Sequence, residues 1–137
     1  MKMDRHLEDI TELNGNPASI SRISDDAVES LDQTIVKGID GVYENAHPPP
    51  QYIISEAKYN TSRLGSTADG PQMSDDWILG SNRLENAGLA DDVVDDIRFA
   101  LENNTGDVQR VLTHIDDAGN VTTSTIDNAG NIGNLWP

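Results

Sequence analysis

From Thr34 to Tyr59 the chain reads TIVKGIDGVYENAHPPPQYIISEAKY. Its first part, TIVKGIDGVYE, alternates with period two and is rich in β-branched residues, which predicts a strand. Val36, Gly38, Asp40 and Val42 share one face; Ile35, Lys37, Ile39, Gly41 and Tyr43 share the other. His47-Pro48-Pro49-Pro50 cannot continue a ladder, because proline has no N–H to donate, and reads as the connection. QYIISEAKY predicts a second strand, with Ile54, Glu56 and Lys58 on one face and Ile53, Ser55, Ala57 and Tyr59 on the other.

Upstream, Leu7, Ile10 and Leu13 fall at helical spacing, and Asn14-Gly15-Asn16-Pro17 ends the pattern. Residues 1–24 therefore read as an N-terminal helical extension or linker, and 25–137 as the main domain. Ser24, followed by Asp25 and Asp26, suits the start of a helix carrying Ala27, Val28 and Leu31. Downstream, NTSRLGSTADGPQ reads as a loop. Ser74 caps a predicted helix with Asp75 and Asp76 in its first turn, then Trp77, Ile78 and Leu84, ending at Gly88. Another helix is expected over about 89–103, with Val93, Val94, Ile97 and Leu101 on its apolar side. At the C-terminus DDAGN (116–120) recurs eleven residues on as DNAGN (127–131). Strand–turn–strand is the expected form. A calcium loop would need the twelve-residue ligand pattern and closing Glu of an EF-hand, and neither is present. Together these elements predict an α/β fold: one small mixed central sheet flanked by helices.

The 137 residues carry 9 Lys+Arg against 24 Asp+Glu, a net charge of −15, and no cysteine. Disulfides and thiolate metal sites are thereby excluded. No apolar run is long enough for a membrane span, and MKMDRHLEDI lacks a signal peptide's apolar stretch. The charge repels polyanions, so a phosphate-handling site would have to be local and assisted by a cation. Between Gln51 and Thr67, Lys58 and Arg63 face only Glu56, whereas the acids concentrate at 25–32, 75–76 and 91–102. Gly-x-Ser-x-Gly, Gly-x-Gly-x-x-Gly and Walker patterns are absent. His6, His47 and His114 lie far apart; His47 beside three prolines reads as loop surface and His114 as half-buried in a strand.

Asp40 on one strand and Glu56-Ala57-Lys58 on the next carry the chemistry. If the two strands pair, Asp40 and Glu56 converge at one end of the sheet. Two carboxylates and the Ala57 carbonyl are hard oxygen ligands of the kind Mg²⁺ prefers. Alternation sets Lys58 roughly 6–7 Å along the same face as Glu56, where an ammonium can activate water or stabilise a phosphorane. Taken alone, E-x-K is a common solvated pair. Here the apolar run Tyr52-Ile53-Ile54 leads straight into it, and Gly38 and Gly41 leave room around Asp40.

GIDGVYE, then PPPQYIISEAKYN, then GPQMSDDW resembles the PD-(D/E)XK, restriction-endonuclease-like nuclease superfamily. More narrowly, the blocks are similar to the toxin domains at the C-terminal tips of bacterial polymorphic and contact-dependent growth inhibition toxins. The resemblance covers about residues 25–115, with Ile39 standing where the motif's proline would precede Asp40. It implies a restriction-endonuclease-like fold in which Asp40 and Glu56 bind a divalent metal (Mg²⁺ first, Mn²⁺ or Zn²⁺ as alternatives). Lys58 would position and activate water, and Gln72 would orient water or phosphate. A further acid on the first core helix would be Glu29, with Asp32 as its alternative. The implied activity is hydrolysis of nucleic-acid phosphodiesters, DNA before RNA or tRNA. The implied setting is a target bacterium's cytoplasm, reached as the tip of a larger secreted or surface-delivered toxin and neutralised in producer cells by a cognate immunity protein. The competing expectation, from charge alone, is a non-catalytic acidic module that binds a basic partner.

Overall fold

The computed structural model describes residues 6–13, 15–24, 39–59 and 63–137. Two ladders fix the sheet around the strand that carries Glu56. The apolar run from Tyr52 becomes β5 (Tyr52–Tyr59), buried on both faces as far as Ala57. On one side it pairs antiparallel with β4 (Gly41–Asn45), from Glu44↔Tyr52 to Gly41↔Ser55. On the other it pairs in parallel with β8 (Val108–Ile115), from Tyr52↔Val108 to Tyr59↔Ile115. β9 (Val121–Ile126) and β10 (Ile132–Leu135) follow as antiparallel neighbours, and β3 (Ile20–Arg22) closes the far edge on β4. Among the described residues the order is β10-β9-β8-β5-β4-β3, a six-stranded mixed sheet in an α/β fold. Two small hairpins stand apart from it: β1 (Glu12–Leu13) with β2 (Asn16–Pro17), and β6 (Ser66–Thr67) with β7 (Gly70–Pro71).

A parallel pair needs a long crossover, and the chain from β5 to β8 supplies it with the β6–β7 hairpin and three helices. These are α1 (Asp75–Leu79), α2 (Arg83–Asn86) and α3 (Asp91–Asn103). They bring Trp77, Ile78, Leu84, Val94, Ile97 and Leu101 onto the sheet face that presents Val42, Tyr52, Ile54, Leu112 and Ile126. Ser74 caps α1 as the sequence predicts, its Oγ accepting from Trp77 N. The single helix expected over 74–88 is instead two. Gly80 stops the first, and Ser81 and Asn82 take left-handed backbone (φ 52° and 55°). The Arg83 guanidinium donates to the Trp77 and Gly80 carbonyls, so the freed helix end is satisfied. The expected helix over 89–103 corresponds to α3, with Val94, Ile97, Ala100 and Leu101 inward.

The helical reading of residues 1–24 is corrected. Only residues 6–8 are helical among those described. Leu13 enters β1 and Ile20 enters β3, and with Leu7 and Ala18 they cover Tyr43, Ile53, Ala57 and Val111 on the second sheet face. Spacing of three reads as a helix face, but these apolar side chains are ordered by what they cover, and the turn at Gly15 (φ 80°) reverses the chain. Ser24 serves the sheet and not a helix start among the described residues: its Oγ accepts from Val42 N at 2.9 Å. The helix expected after it, with Glu29 and Asp32, and the strand positions Ile35–Gly38 lie outside the described residues.

Three prolines leave carbonyls that need donors from elsewhere. Buried Asn45 provides them, its amide donating to His47 O (3.0 Å) and Pro50 O (3.1 Å). Its Oδ1 accepts from Ser19 N and His47 N. The C-terminal repeat forms turns. Asp116 accepts from Asn120 N, and Asp127 from Ala129 N and Asn131 N, with Gly119 and Gly130 at positive φ. Those backbone N–H groups hold both carboxyls below the ordinary range. Among the described residues no helix is long and apolar enough to cross a membrane.

Candidate active site

The β4–β5 ladder ends at Gly41↔Ser55, and Asp40 sits in the bend just before β4. Continued in register, the ladder would set Ile39 opposite Ala57. Instead Asp40 Oδ2 accepts the Ala57 N–H at 2.8 Å, so a carboxylate replaces a backbone carbonyl where the strands part. Arg22 at the neighbouring edge fixes that bend, donating from Nη2 to Asp40 O at 2.7 Å and from Nε to Ser24 O at 3.3 Å.

Glu56 lies beside this bend on the helix-bearing face and is only 4% exposed. Lys58, two residues on, brings Nζ to 3.7 Å from Glu56 Oε1. Among the described residues the buried Oε2 has no hydrogen-bond partner. Burial pushes the Glu56 carboxyl up to about 9, a hydrogen bond to Asp40 and repulsion from that carboxylate add to the rise, and Lys58 opposes it. The shift favours the protonated form of Glu56, with Asp40 beside it. Two carboxyls in contact and an unpaired buried oxygen suit a divalent cation: its charge would replace the proton and satisfy Oε2. The donor set fits the metal that the family resemblance implies. Among the described residues no group of three or more His, Asp or Glu gathers at metal-binding distance.

Asp40, Glu56 and Lys58 are thus brought together. Gln72 closes the loop that holds β6 and β7: its N donates to Gly65 O at 2.9 Å and its Oε1 accepts from Gly65 N at 3.3 Å. Glu29 lies outside the described residues. Tyr59 is half exposed, and alternation aims it to the face opposite Glu56. Trp77 is buried core, with the Arg83 guanidinium stacked on it at 4.5 Å.

Two residues that the sequence did not single out for the site adjoin it. Arg22 is one. The other is His114, the register partner of Lys58 on β8 and on the same face; only the parallel pairing of strands 56 residues apart in sequence reveals it. No protein-family model, curated protein or solved structure matches the chain.

Proposed function

We propose that the chain is a metal-dependent nuclease of the PD-(D/E)XK type. One observation carries the reading: where β4 and β5 part, the Asp40 and buried Glu56 carboxyls meet, with the Lys58 ammonium 3.7 Å from Glu56. Asp40, Glu56 and the Ala57 carbonyl would hold the cation, Mg²⁺ first by the hardness of these oxygens. When bound, it supplies Lewis-acid polarisation of a phosphate and acidifies water. Lys58 orients the attacking water and neutralises charge on the phosphoryl oxygens. Water adds to phosphorus, the bond to the leaving sugar oxygen breaks, and the proton that water loses ends on that oxygen. Asp40 keeps its place through the Ala57 amide, so the site is pre-organised by backbone. The setting that fits such an activity is a toxin tip acting in a target bacterium's cytoplasm, with an immunity protein in producer cells; the GIDGVYE, EAKYN and GPQMSDDW blocks support it. DNA is the preferred substrate, with RNA including tRNA next.

The test is incubation of plasmid DNA and total RNA with purified protein, in Mg²⁺, Mn²⁺ or Zn²⁺ and then in chelator. Metal-dependent loss of either substrate, abolished by Glu56→Ala and by Lys58→Ala with unchanged circular dichroism, supports the reading. Inertness in every metal overturns it in favour of an acidic binding module. For that alternative the outer face of α3 speaks, where Asp91, Asp92, Asp95, Asp96 and Glu102 are all exposed.

A further inference from the structure

The opposite end of the sheet has a different character. β10 is an edge strand whose one ladder among the described residues is to β9, and all four of its residues are exposed. Ile132 is 53% and Leu135 71% exposed. Residues three apart on a regular strand point to opposite faces. Here they do not, because the register runs Ile132↔Ile126 and then Leu135↔Ser124, three residues of β10 against two of β9. The extra residue is a bulge. Gly133 permits it: a Cβ there would fall 2.5 Å from Thr125 Oγ1. The bulge turns both apolar side chains onto the helix-bearing face, in line with buried Ile126.

This edge is also the uncharged part of a strongly charged molecule. Residues 118–137 contain one charged side chain, Asp127, whose carboxylate is committed to its own turn. A basic partner would find only the Asp127 carboxylate there to complement. A second copy, repelled by a net charge of −15 over the whole chain, meets few like charges here. The pattern is self-complementary too: antiparallel pairing about a two-fold axis between Gly133 and Asn134 sets Ile132 of each copy against Leu135 of the other.

We propose that β10 is the self-association edge of this chain, joining two copies into one continuous sheet through the Ile132–Leu135 strip. The proposal is independent of the nuclease reading. The contact is small, so dimerisation is weak and concentration-dependent, and added salt strengthens it by screening the repulsion between the acidic bodies.

Sedimentation velocity of the full chain over a concentration series, at low and at high salt, tests this. The expected result is a monomer–dimer equilibrium that tightens with salt. Ile132→Lys and Leu135→Lys, both at exposed positions that leave the fold intact, should each weaken it about tenfold or more. Phe99→Lys, at the 62%-exposed aromatic of α3, should leave it unchanged. A chain that stays monomeric throughout, a dimer that salt dissolves, or equal weakening by Phe99→Lys would each overturn the proposal and give the edge to another occupant.

Discussion

Asp40 stands in for a strand: its Oδ2 takes the Ala57 amide hydrogen at 2.8 Å, where the register would otherwise set the carbonyl of Ile39. One side chain thus terminates the β4–β5 ladder and supplies half of the carboxyl pair. The two roles separate by mutation. In Asp40→Asn the amide oxygen still accepts from Ala57, so thermal stability should stay within about 1 kcal/mol of the parent while metal-dependent cleavage is lost. Asp40→Ala leaves the amide unpaired and should cost a further ~1–3 kcal/mol in chemical denaturation. Equal stability of the two variants would contradict the structural role.

Glu56 makes the site a cost to the fold. The carboxyl moves from its ordinary 4.5 to about 9 on folding. Below about 4.5 both states hold the proton, and the contribution of the neutral group is fully present. Between 4.5 and about 9 the unfolded chain has released a proton that the folded chain keeps, so stability falls as pH rises, by at most about 1.4 kcal/mol per pH unit. Glu56→Gln removes that slope. At about pH 8 it should be more stable than the parent by roughly 1–3 kcal/mol, several degrees in Tm, yet inactive. A variant less stable at high pH, with the slope intact, would place the titration elsewhere.

The strands, the Ser74 cap, α3 and the two Asp–Gly turns were legible in the sequence because each is set by local rules: alternation, capping and positive-φ glycine. The carboxyl pair was half legible. Period two put Glu56 and Lys58 on one face, but nothing local says that Asp40 would leave the strand and bond Ala57. Arg22 and His114 were invisible as neighbours, since β3 and β8 reach the site only through tertiary pairing. Leu7 and Leu13 misled, because a covering segment needs apolar residues without needing a period. Gly133 carried no signal until Thr125 was seen beneath it.

Asn45 supports the approach to the site without touching it. Asn45→Ala would leave the carbonyls of His47 and Pro50 and the N–H groups of Ser19 and His47 without their side-chain partner. The expected loss is about 2–4 kcal/mol of stability, since several bonds to a buried group vanish together. Cleavage per folded molecule should be unchanged when measured well below the variant's Tm. A fall in specific activity under those conditions would show that the proline connection positions Glu56.

Cation binding and the Glu56 proton compete for one place. If Asp40 and Glu56 hold a divalent ion, that ion must expel the proton that Glu56 keeps up to about 9, so affinity rises with pH until that point and levels off above it. The gain in Tm on adding Mg²⁺ should therefore be small near about pH 6 and grow towards about pH 9, following the mass-action dependence on ion concentration. Calorimetry in buffers of different ionisation enthalpy should record release of close to one proton per ion bound near neutrality. Asp40→Asn combined with Glu56→Gln should abolish both the Tm gain and the proton release, whereas Lys58→Ala, which removes the ammonium that favours the ionised carboxylate, should raise the number of protons released or leave it near one. A Tm gain that is flat with pH, or that survives the double substitution, would mean that the ion binds elsewhere on this acidic chain.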